Sequence, residues 1–210
     1  PRTPGGTWKG SGAIMTEIRA GLMYVSRSPL VLVLLVGSAA TSILAGPFQF
    51  LLPALVVEVY HRGPVALGIL SAAIGVGALT GSLLVASITA WKRGMLVIGA
   101  GFVTGLSLLL MGVVPFYFAA LFIMIPFGLG STARMALSHS LLMERVEEAY
   151  RGRVTSLFMM SWGLMPLGAL PIGVVADWLG VRVAVSILAV LLLVATTVIL
   201  LTQRRLRDTD

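Results

Sequence analysis

Five long stretches of this chain carry no charged residue. They run from Arg27 to Glu58, Arg62 to Lys92, Arg93 to Arg134, Arg153 to Asp177, and Arg182 to Arg204. A helix needs about 20 apolar residues to cross the hydrocarbon of a bilayer, so each stretch is long enough. In lipid every backbone N–H and C=O must be bonded within the segment or to a neighbouring strand. Continuous apolar runs without period-two alternation satisfy this as helices, not as barrel strands. Residues 94–133 would make a helix of about 60 Å, twice the bilayer core, so they turn once, and Pro115 marks the turn. The count is six spans, at about 30–57, 64–90, 94–113, 116–142, 154–176 and 182–202.

Composition supports this reading and removes its competitors. Of 210 residues, 58% are hydrophobic and 11% charged, against about 25% charged in an average soluble domain. The mean hydropathy is +1.01. A water-soluble domain of this size has no core large enough for so much apolar surface. Zero cysteines exclude a disulfide scaffold. The net charge of +7 in so apolar a chain marks topology, not nucleic-acid binding. The expected fold class is all-α, a polytopic membrane helix bundle.

Basic residues orient the bundle. With six spans both termini lie on one side, which then holds twelve Lys and Arg: Arg2, Lys9, Arg19, Arg27, Lys92, Arg93, Arg145, Arg151, Arg153, Arg204, Arg205 and Arg207. The other side holds Arg62 and Arg182. By the positive-inside rule both termini are cytoplasmic. Residues 1–13 read as a flexible basic linker without the apolar core of a signal peptide. Pro1 in place of an initiator Met is expected of a fragment or a processed piece. Residues 14–28 place Ile14, Ile18, Leu22 and Val25 on one face, which fits a cytoplasmic interfacial amphipathic helix or an ordinary linker. Residues 29–203 form the membrane domain, and 204–210 a cytoplasmic basic tail.

The loop before the fifth span reads Tyr150-Arg151-Gly152-Arg153-Val154-Thr155-Ser156-Leu157. The span continues with Pro166-Leu167-Gly168-Ala169-Leu170 and closes with Gly173-Val174-Val175-Ala176-Asp177-Trp178-Leu179-Gly180. This stretch resembles the carboxy-terminal half of major facilitator superfamily transporters, in the bacterial exporter branch that handles enterobactin and macrolides. The resemblance is best over residues 140–182. It implies half of a twelve-helix fold and a secondary active exporter of small amphipathic molecules such as siderophores or drugs, working by alternating access. It also implies a partner amino-terminal six-helix half, fused or separate, and a bacterial inner-membrane location.

Several residues qualify for the transport path. Gly46-Pro47-Phe48-Gln49-Phe50 and Pro53 interrupt the first span near mid-membrane, where freed carbonyls must be satisfied by protein or water. Gln49 can hydrogen-bond a substrate, with Phe48 and Phe50 as apolar contacts. Pro126-Phe127-Gly128 in the fourth span is the expected counterpart break in a repeat-built bundle. Arg134 lies about 12 Å inside the fourth span, where an arginine costs about 2.5–3.5 kcal/mol to insert. It is read either as an anion contact or gating partner, or as a side chain bonded to Glu144 or a carbonyl. Ser131 and Thr132 lie within a turn of it. Histidine has a reference pKa of about 6.5, and His139 is read as a proton-sensitive group or a hydrogen-bonded interfacial residue.

Outside the path, Arg151, Gly152 and Arg153 are read as a cytoplasmic gate motif. There the glycine permits a tight turn and the guanidinium groups latch helix ends; the alternative is plain topology-setting charge. Asp177 and Arg182 are read as a structural pair across the turn between the fifth and sixth spans. Glu58 is a solvated residue at the outer mouth.

An enzyme is not expected. Gly130-Ser131-Thr132 lacks the pattern of an intramembrane serine protease, and His139 is about 12 Å along the same helix from Ser131. Glu147 and Glu148 have no histidine partners for a metal, and no cofactor is expected. No phosphate-binding loop is present, so an ATP-driven exporter would need a separate ATPase subunit. A structural or assembly membrane protein is the remaining alternative.

Overall fold

The computed structural model describes residues 28–87 and 93–202. The linker 1–13, the amphipathic segment 14–28 save its last residue, and the tail 204–210 lie outside the described residues. Among those described, every regular element is helical. The elements are α1 (Pro29–Leu44), α2 (Phe48–Ala54), a π-helical turn (Leu55–Val59), α3 (Pro64–Ser87), α4 (Arg93–Val113), α5 (Tyr117–Arg145), α6 (Glu148–Met160), a 3-10 turn (Ser161–Leu164), α7 (Met165–Leu179) and α8 (Val181–Thr202). Six continuous stretches are long and apolar enough to cross a membrane: Val31–Val59, Pro64–Ser87, Arg93–Val113, Tyr117–Arg145, Tyr150–Leu179 and Val181–Thr202. The chain is an all-α, six-span membrane protein. The end where α1 begins and α8 finishes is called the terminal end below, and the opposite one the far end.

Prolines and glycines set the boundaries. Pro29 opens α1 at a position whose N–H would be unbonded anyway. Pro47 cannot donate to the Ile43 carbonyl, so the first span breaks over 45–47. Pro53 lies within α2, just before the π-helical turn. Gly180, at φ 90°, ends α7 and lets the chain reverse into α8, a conformation L side chains rarely adopt. Pro126 sits inside α5 without interrupting it. The second broken span is therefore the fifth, at Ser161–Leu164, and not the expected fourth. Neighbouring spans support the α5 turn that lost its bond, as packed membrane helices can.

Packing divides the bundle into two apolar cores stacked along its axis. The far-end core includes Phe48, Leu55, Leu70, Leu108, Met124, Ile172 and Leu188. The terminal-end core is built by Val31, Leu34, Ile98, Leu141, Leu142, Val154 and Phe158. Between them lies a belt holding every buried polar or charged side chain among the described residues: Thr104, Ser107, Arg134, Ser138, Ser161 and Thr196. The break of the fifth span begins at this level with Ser161, while that of the first lies nearer the far end, with Ala45 in the far-end core. Glycines let the backbones meet there and nearby: Gly77 and Gly81 of α3 lie on the α5 backbone at Ile125 and Leu129, and Gly130 of α5 lies against Thr104 of α4.

Candidate functional site

Arg134 occupies the centre of the polar belt. It is 7% exposed, and its Nη2 donates at 3.0 Å to the Gly37 carbonyl of α1. The same carbonyl accepts from the Thr41 hydroxyl at 2.7 Å. Gly101 of α4 gives the guanidinium its room, because a Cβ there would stand 3.0 Å from Nη1. The side chain therefore turns inward among α1, α4 and α8. It is not open to the surface of the bundle, since the span packing closes over it. Nor does it reach Glu144, which instead pairs with Arg93 at 3.3 Å and so ties the terminal ends of α4 and α5.

The rest of the expected path separates into core and surface. Phe48 is fully buried and meets the Phe127 ring edge-on at 5.1 Å. It is a core residue, because the break over 45–47 rotates it toward α5. Gln49 and Phe50 are exposed, Phe50 at 61%. Ser131 is half-buried, with its hydroxyl donating to Gly128 at 3.1 Å, and Thr132 is half-buried one residue on. His139, also half-buried, stacks at 5.4 Å on Phe158 of α6.

The two broken spans touch at their breaks. A Cβ on Gly168 of α7 would collide with the Ile43 carbonyl and stand 2.9 Å from Pro47 Cγ. A Cβ on Gly46 would stand 2.7 Å from Met165 Cγ. The carbonyl that Pro47 leaves without its N–H is thus covered by the glycine face of the fifth span, a weak but favourable contact. Gln49 and Phe50 emerge just beyond the break of the first span. Trp162 and Gly163, both exposed, occupy the break of the fifth.

At the terminal end, Arg151, Gly152 and Arg153 lie on the opening turns of α6, not in a tight turn. Glu148 already starts the helix, and a Cβ on Gly152 would meet nothing. Arg151 Nε donates at 3.3 Å to the carbonyl of Val146, which caps α5, where the helix dipole favours a cation. Arg153 lies over the Tyr150 ring at 5.5 Å. At the far end Arg182 does not pair with Asp177. Its Nε donates at 3.0 Å to the Gly112 carbonyl and its Nη2 to that of Val113, closing the open end of α4. Burial pushes the Tyr60 phenol above its ordinary value, and the charge of Arg182 offsets part of that rise. Arg62 lies over Tyr117, whose hydroxyl donates to Ala66 at 3.1 Å.

The exposed side chains differ sharply from span to span. On α8 they are Val183, Val190, Leu191, Val194, Val198 and Leu201, an aliphatic face suited to lipid. On α3 Val65, Ile69, Val76, Leu79, Leu83 and Leu84 are exposed too, but interleaved with Gly68, Ser71, Ala72, Gly75 and Ser82. The first and fifth spans expose Gln49, Pro53, Trp162, Gly163, Pro166 and Pro171. Small and polar residues on a membrane surface belong against protein or water. The second and fifth spans are also the least buried, with 17% and 22% of their residues inside against 33–50% elsewhere. On the first, second and fifth spans small and polar residues are thus exposed among apolar ones such as Val36, Leu79 and Leu170.

A major facilitator family model described as a transmembrane secretion effector matches residues 10–210. No curated protein and no solved structure matches the chain.

Proposed function

Because this chain belongs to the transmembrane secretion effector family of the major facilitator superfamily, and is thus a transporter-family membrane protein, we propose that it forms one six-helix half of an exporter. The cargo is a small amphipathic molecule of the siderophore or drug class, moved by alternating access against a partner half. Its membrane is the bacterial inner membrane, with both termini cytoplasmic. The observation that supports this most is that the first, second and fifth spans expose small and polar residues among their apolar ones, whereas the exposed side chains of α8 are aliphatic until Thr202 at its end.

On this reading Gln49, Phe50 and Trp162 meet the cargo, with an amide for its polar groups and rings for its apolar body. Ser131, Thr132 and His139 lie farther back on the fourth span and contribute where that span borders the path. Arg151 and Arg153 hold the terminal-end connection between the fourth and fifth spans, and their release accompanies the change of access. Arg134 and Phe48 act in support of the first span and not as cargo contacts.

The test is accumulation of a fluorescent amphipathic dye, and of a catecholate siderophore, in cells stripped of their own exporters. Expression of the protein with its partner half lowers accumulation severalfold. Gln49→Ala and Trp162→Ala return it toward the level of empty cells while leaving membrane abundance intact. Accumulation unchanged by expression for every cargo in the panel would overturn the export reading.

A further inference from the structure

Arg134 is a buried cation with an unanswered donor. Its Nη1 is the one buried side-chain nitrogen or oxygen among the described residues that has no hydrogen-bond partner. Beside it is a cavity of about 20 Å³ lined by Val33, Leu34, Gly37, Ile98, Arg134 and Ser138, with Thr196 in its wall. The Thr196 hydroxyl is committed at 2.8 Å to the Leu192 carbonyl. A cavity needs about 10–15 Å³ to admit one water molecule, so this one holds a single small guest, a water or a monatomic ion.

Charge selects among guests of that size. The ion pair of the α4–α5 contact is Arg93 with Glu144 at the terminal end, and no carboxylate answers Arg134 among the described residues. An uncompensated charge away from water costs several kcal/mol. A water molecule would satisfy Nη1 yet leave the charge unbalanced, whereas a halide does both, and Ser138 in the cavity wall adds a hydroxyl able to donate. We infer that this cavity is a monovalent anion site, filled by chloride, that neutralises Arg134 and thereby holds the guanidinium on the Gly37 carbonyl of the first span. The inference concerns the interior of the bundle and stands whatever the cargo is.

Equilibrium binding of radiolabelled chloride to the detergent-purified protein tests it, together with thermal unfolding in chloride, bromide or gluconate at one ionic strength. One saturable chloride per chain is expected, displaced by bromide and not by gluconate. The unfolding midpoint rises by about 3–8 °C in either halide. Arg134→Gln abolishes binding and the halide response. Gly101→Ala keeps the charge but sets a methyl against Nη1, and lowers affinity by at least about tenfold. Should Arg134→Gln fail to fold, Gly101→Ala and Ser138→Ala carry the comparison. Absence of saturable binding, or a halide response in these variants equal to that of the unaltered protein, overturns the proposal and leaves a bridging water in the cavity.

Discussion

Replacing Arg182 by alanine removes two charge-assisted bonds that close the carbonyl end of α4 at Gly112 and Val113. Bonds of this kind are worth about 1.5–3 kcal/mol each where the partner is then left unsatisfied. The far end is partly exposed, so a total near the lower figure is expected, read as a lower midpoint of thermal unfolding in detergent. Asp177→Asn, which breaks no bond seen in the structure, changes the midpoint by no more than about 0.5 kcal/mol equivalent. An equal loss from both variants would restore the pair that their spacing invites. Adjacent aromatics divide in the same way. Phe48→Ala empties a packed site against Phe127 and costs about 3–5 kcal/mol, while Phe50→Ala leaves stability intact and weakens export. A sequence shows that Phe48, Gln49 and Phe50 stand together near mid-membrane. It does not show which ring turns inward, because the break over 45–47 resets the helical phase. Arg134 illustrates the same limit: its depth is legible from the charge gaps, but its direction depends on Gly101 and Gly37, which lie on other spans.

The informative elements are the two broken spans. Their discontinuities meet where Gly168 covers the Ile43 carbonyl, and the outer parts of both spans pack in one core and the inner parts in another. This arrangement is a natural place for the spans to bend, since neither core need be disrupted. Gly168→Ala forces the two backbones apart and costs about 1–3 kcal/mol. Gly163→Ala meets no neighbour and leaves the midpoint within about 0.5 kcal/mol equivalent, yet it stiffens the break and slows export. Paired measurement of unfolding and dye efflux separates the two effects, and efflux unaffected by Gly163→Ala would remove the hinge. The six spans themselves were readable from charge-free runs, because lipid tolerates only helices there. The partner of the first-span break was not. Pro126 looks like a breaker in sequence but α5 continues through it, while the fifth span breaks at Ser161–Leu164, where Pro166 cannot donate to the Trp162 carbonyl and Met165 bonds it instead.

At the scale of the whole molecule the bundle has an unequal surface, aliphatic on α8 and interspersed with small and polar residues over the first, second and fifth spans. Family membership says that such a bundle belongs to a transporter. It is the surface that says where a path would run. The complete lack of cysteine makes the direct measurement simple: single cysteines are introduced at Gln49, Gly163 and Val198, and a membrane-impermeant, water-soluble thiol reagent is applied to the assembled protein in membranes. The account predicts that Gln49→Cys and Gly163→Cys are modified, and that added cargo slows their modification, while Val198→Cys remains unmodified in lipid. Uniform lack of reaction at all three positions, or reaction at Val198→Cys alone, would contradict it.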